Sequence, residues 1–149
     1  MTEKITFSNP SKDIHYRLAE WAAVCAEHTL YLFENSNSDD ARPRKALETL
    51  REWIQGDKTM VECRTAAFAA HAAARDATDP AAIAAARAAG QAVAVAHMYN
   101  HCSHAADYAA KAIKLYTTQY ADETFKTERK WQREHLAEDL WAIGFPKEA

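Results

Sequence analysis

Between Ala66 and Ala112 the chain is dominated by alanine, and this bias constrains the fold more than any other feature. Alanine loses no side-chain entropy on entering a helix and buries no polar group, which gives it the highest helix propensity. Its single methyl also allows helices to pack closely. The three glycines, Gly56, Gly90 and Gly144, and the four prolines, Pro10, Pro43, Pro80 and Pro146, mostly stand where helices should begin or end. No β-branched residues form a long alternating run. The expected fold is all-α, a compact bundle of about six helices with an alanine-rich, closely packed core. At 149 residues it should be a single helical domain, 1–149, with no linker.

The start and stop signals divide the chain. Ser8 to Ser11 offer caps for a first helix of about 12–35, whose stripe runs Ile14, Leu18, Trp21, Cys25, His28, Leu32. Asp40 can cap a second helix near Arg42-Pro43-Arg44, carrying Leu47, Leu50, Trp53 and Ile54 and ended by Gly56. Thr59 and Glu62 fit a capping box, opening a third helix to about Ala77. Asp79-Pro80 starts a fourth, with Ile83, Ala86, Gly90, Val93 and His97 on one stripe. A break over 98–100 is compatible with the sequence without being forced by it. A fifth helix runs to about Tyr120, and a charged sixth, about 122–142, ends before Gly144 and Pro146.

Four histidines, His28, His71, His97 and His101, fall on the apolar stripes of four different helices. Polar rings at core positions must find partners or they destabilise the fold. They are expected to converge either as a buried hydrogen-bonded cluster or as a ligand centre. His97, His101 and His104 have i, i+4, i+7 spacing, which on one unbroken helix suits zinc, nickel or iron. His28 or His71 could complete such a centre, and Glu27 or Asp107 could supply carboxylates. The sequence contains no His-Glu-x-x-His, Glu-x-x-His or Cys-x-x-Cys motif. The favoured expectation is therefore a buried polar cluster, with no metal and no cofactor.

Other chemistry is thinly supported. Cys25, Cys63 and Cys102 lack metal spacing and read as buried reduced thiols. No Gly-x-Ser-x-Gly elbow exposes a serine, and three glycines cannot supply a Walker loop or a dinucleotide fingerprint. Arg42, Arg44, Arg75 and Arg87 are candidate helix clamps, through bidentate bonds to carboxylates. Arg75 and Arg87 equally fit the solvent side of alanine-rich helices. A formal charge of -3 gives no support to nucleic-acid binding. The uncharged stretch 88–106 is long enough to span a bilayer, but Gln91, Asn100 and three histidines make spanning costly. No apolar run follows the first residues as in a signal peptide, so a soluble cytoplasmic protein is expected.

Several motifs carry a family resemblance. They are Cys25-Ala-Glu-His28, Leu32-Phe33-Glu34, Asp40-Ala-Arg-Pro-Arg44-Lys-Ala, Trp53-Ile-Gln-Gly56 and Ala66-Ala-Phe-Ala-Ala-His71-Ala-Ala-Ala-Arg75. Ala85-Ala-Arg87-Ala-Ala-Gly90, Ala92-Val-Ala-Val-Ala-His97, His101 and Tyr108-Ala-Ala-Lys111-Ala follow in order. Over about 17–115 the chain resembles the immunity-five-like family of bacterial immunity proteins from polymorphic toxin systems. That family often has histidine where Gln91 stands, a departure that argues against a required ligand there. The resemblance implies a small all-α protein that protects a bacterium by binding a cognate toxin protein and blocking it. It supplies no catalytic residues. Exposed carboxylates and aromatics engaging a basic toxin surface would be the means, with 35–44 and the charged last helix as the expected contacts. The alternative is a metal-dependent bundle enzyme of DinB-like type, whose histidines hold an ion that activates water or thiol.

Overall fold

The structure is a computed structural model in which residues 10–148 are described. Local capping chemistry sets where its helices begin. Ser11 accepts from the Ile14 amide at 3.3 Å to start α1 (Lys12–Thr29). A single turn, α2 (Tyr31–Glu34), follows, then α3 (Arg42–Ile54) with a proline in its first turn. The Thr59–Glu62 capping box is formed in both directions and opens α4 (Met60–Asp76). Asp79 accepts from the Ala82 amide to start α5 (Pro80–Ala94). Three further helices are α6 (His101–Tyr116), α7 (Ala121–Glu134) and the short α8 (Trp141–Gly144), which follows a 3-10 turn at Glu138–Leu140. No strand occurs among the described residues, and no helix there is long and apolar enough to cross a membrane.

Six helices are long, as expected, and three breaks divide the chain around them; the periodicity did not show the first and third, which give the additional short helices. The first break is at Leu30, whose amide reaches only three residues back, to Glu27, while buried Thr29 bonds back to the Ala26 carbonyl. Such threonine back-bonding bends helices. The second runs over 95–100, where Val95, Ala96 and His97 each bond three residues back. The third ends α7 at Glu134 instead of near 142. Here His135 Nδ1 donates to the Trp131 carbonyl at 2.7 Å, and Trp141 Nε1 donates to Leu136 at 2.9 Å. Side chains thus satisfy carbonyls that would otherwise end without partners.

Alanine-rich α5 is the central helix, packed against α6, α4, α3, α1 and α2. A helix enclosed on all sides must be apolar all round, and α5 buries alanine at Ala81, Ala82, Ala84, Ala85, Ala86, Ala88, Ala89 and Ala92. After its exposed first residue, only Ile83, Arg87, Gln91 and Ala94 are partly open, and their spacing makes one narrow stripe. Its last two members, Gln91 and Ala94, floor the cleft between α4 and α6.

The last long helix is less solvated than its charge pattern suggested, because Glu128, Arg129 and Gln132 are buried. Gln132 is fully enclosed, donating to the Ala106 carbonyl at 2.9 Å and accepting from Arg129 at 3.0 Å. Trp21 of α1 donates to the Gln132 carbonyl at 2.9 Å. Arg129 also pairs with Asp107 and Glu148 and lies 4.7 Å above the Phe145 ring. One polar knot therefore fastens α7 to α1, α6 and the chain end.

Candidate functional site

The four stripe histidines do not form a buried cluster. His28 stands at the edge of the α1 core stripe, with 40% of its side chain exposed. It stacks on Trp131 of α7 at 3.6 Å and 11°, with Nδ1 2.7 Å from Glu128. His71, His97 and His101 instead border one cleft of about 360 Å³ between α4 and α6. The cleft has Arg64, Ala67 and Phe68 of α4 on one side and Gln91 and Ala94 of α5 as its floor. His97 is exposed and His71 and His101 are half-buried, so this is an open groove. The break over 95–100 explains why: it takes His97 off the line of α5 and separates it from the α6 face.

Each ring in the cleft has its Nδ1 engaged. Arg87 donates to His71 Nδ1 at 2.9 Å, and because a guanidinium has no acceptor, His71 must be neutral with its proton on Nε2. Burial, reinforced by Arg87, Arg75 and His101, holds the His71 pKa below its ordinary value. Arg64 donates to His97 Nδ1 at 3.2 Å. His101 Nδ1 donates to the Gln91 side-chain oxygen at 2.8 Å, and burial, with His104 and His97 nearby, lowers its pKa as well.

This arrangement is poorly suited to a cation. Two guanidiniums stand where a metal's charge would be repelled. His104 stands outside this cleft and borders another with Asp107, Tyr108 and Lys111. Among the described residues, no three His, Cys, Asp or Glu side chains come together as the ligands of one ion.

The four candidate clamps divide in two. Arg42 forms a bidentate pair with Asp40 at 2.9 and 2.7 Å and reaches Asp76 at the end of α4. Arg44 pairs bidentately with Glu34, at 2.6 and 2.5 Å, joining α3 to α2. Arg87 bonds His71 in place of a carboxylate, and Arg75 is exposed with no ion pair among the described residues. Segment 35–44 is consequently closed on itself by ion pairs, its principal charges already partnered.

Sequence reading missed the outer face of α4. Val61 and Phe68 are 65% and 67% exposed there, although both are large and apolar. A second cleft of about 370 Å³ lies on the other side of the helix, against Lys45 and Thr49 of α3. The helix is thus a ridge between two grooves. The available signal was an i, i+7 apolar pair lying off the alanine stripe that enters the core.

Compared with known protein families, residues 8–139 match the model described as "Imm-5 like putative immunity protein". The chain belongs to that family. No curated protein and no solved structure matched it. The Imm-5 like match exceeds the 17–115 resemblance read from motifs, taking in all of α1 to α7. Both α4 grooves and all four stripe histidines therefore lie inside the family region.

Proposed function

We propose that this chain is an immunity protein that binds one cognate toxin protein and neutralises it by steric blocking. The observation that carries the reading is its membership of the Imm-5 like family over residues 8–139. The surface is compatible with it: α4 presents exposed Val61 and Phe68 between two apolar grooves. Blocking needs only a rigid surface of complementary shape, and a closely packed bundle supplies that.

The reading predicts a toxin gene beside this chain's gene, and the test is co-expression with its product. Cells producing both should grow, cells producing the toxin alone should arrest, and the two proteins should co-purify in a fixed ratio. Arrest despite full expression of soluble immunity chain would reject the reading.

A further inference from the structure

The arginines of this chain fall into two sets. Arg17, Arg42, Arg44, Arg51, Arg129 and Arg133 all pair with carboxylates. Arg64, Arg75 and Arg87 have no carboxylate partner among the described residues. Arg64 lines the α4–α6 cleft, Arg87 bonds the cleft residue His71, and Arg75 stands one turn beyond His71 on α4. On α4 the order Arg64, Phe68, His71, Arg75 has steps of four, three and four, which places all four on one helical face. Arg87 reaches the same face from α5 through its bond to His71.

Such a face has an apolar centre bracketed by cations, in a chain whose formal charge is -3. Interfaces are built in this way, with arginine and aromatic residues supplying most of the binding energy. Guanidiniums left without carboxylates inside the chain are completed by carboxylates from outside, because the bidentate pair is the strong form of the contact. The neutral imidazole of His71 places no further charge in the groove. From Arg64 to Arg75 the helix rises about 16 Å.

From this we infer that the α4–α6 cleft docks an acidic segment of the toxin, one whose carboxylates stand about 16 Å apart and bracket a large apolar side chain. The inference rests on the immunity reading for the identity of the partner. It reverses the charge sense expected from the sequence, in which this chain's carboxylates meet a basic surface. The arginine-bearing face lies on α4 and α5, not on segment 35–44 or α7.

Two helical peptides with the same apolar residues, one carrying glutamates eleven positions apart and the other lysines there, provide the direct probe. By fluorescence anisotropy the glutamate peptide should bind at least about tenfold more tightly than the lysine peptide. Phe68→Ala and the double variant Arg64→Glu, Arg75→Glu should each weaken it by about tenfold or more. These side chains make few contacts within the fold, and an unchanged melting curve will show that the variants are folded. Equal binding of the two peptides, no binding of either, or variants that bind as well as the parent would overturn the inference. Tighter binding of a DNA duplex than of the glutamate peptide would do the same. In the co-expression assay, undiminished protection by the double variant would reject this face alone. Loss of protection by the parent chain would instead reject the reading on which it rests.

Discussion

Gly90 lies directly beneath the His71 ring: a Cβ on Gly90 would stand 2.7 Å from both Cε1 and Nε2. The missing side chain is what lets α4 lay an imidazole against α5 within reach of Arg87. Gly90→Ala sets two effects against each other. Alanine gains about 0.5–1 kcal/mol of helix preference, while the displaced ring loses a charge-assisted hydrogen bond of about 1.5–3 kcal/mol. Because His71 is half-buried, it can swing into the cleft and recover part of that loss. We expect a net destabilisation of about 1 kcal/mol or less. A larger effect is expected in the His71 titration, whose pKa should return towards 6.5 once the ring leaves Gly90 and Arg87. Nuclear magnetic resonance titration of the variant reads this, and an unmoved pKa would show that Gly90 does not hold the ring.

Stability should fall as the pH is lowered through the histidine range. Both His71 and His101 have pKa values below the ordinary 6.5 in the folded chain. Between the folded and unfolded values the unfolded chain binds more protons, so acid favours unfolding there. Their contribution is complete above 6.5 and declines below it, until the folded rings also protonate. Glu34, Asp40 and Glu62 have depressed values, so their contributions are lost only in more acid solution. Urea unfolding at pH 8 and pH 5.5 should show the loss. His71→Gln combined with His101→Asn should flatten it, and an unchanged slope would place the pH dependence elsewhere.

The enclosed Gln132 should be costly to replace with a hydrocarbon. Gln132→Leu removes the side-chain donor to the Ala106 carbonyl, which lies within α6, and one of the acceptors of Arg129. Each lost buried hydrogen bond costs about 0.5–1.5 kcal/mol, more where a charged group takes part, so we expect the thermal midpoint to drop by several degrees. A midpoint equal to the parent's would mean that water takes over both bonds.

The three thiols should be inert while the chain is folded. Cys25, Cys63 and Cys102 are all buried and free. Burial pushes Cys63 up to about 11 and Cys102 up to about 12, and it raises Cys25 well above its ordinary value. Iodoacetamide at pH 8 should label none in the native chain and all three in urea, by intact mass. Rapid native labelling of any one would show that its helix opens readily.

Features written in a few adjacent residues were legible in the sequence. Thr59 with Glu62, Asp79 with Pro80, and Gly56 at φ +89° each act where the sequence places them. The end of α7 was not legible, because it depends on Trp141 and His135 side chains reaching carbonyls after the chain has turned. At the site, periodicity put His71, His97 and His101 on stripes that do meet, but it could not separate the centre of a stripe from its edge. His28 lies at such an edge. Alanine compounds the difficulty, since it is equally at home inside and outside a helix bundle and marks neither face of α4. Nothing in that composition singles out Phe68 as a side chain that stays exposed.

The enclosure of α5 has a consequence for how such a chain can diverge. A helix bounded by five neighbours at the distance of a methyl group cannot accept a larger side chain without moving at least one of them. Its inner positions are locked together, and a single enlargement there would need a matching reduction across the contact. The outward side of α4 is under no such restriction. If α4 is the docking face proposed above, a change of partner needs only one helix rewritten while the centre of the bundle stands still.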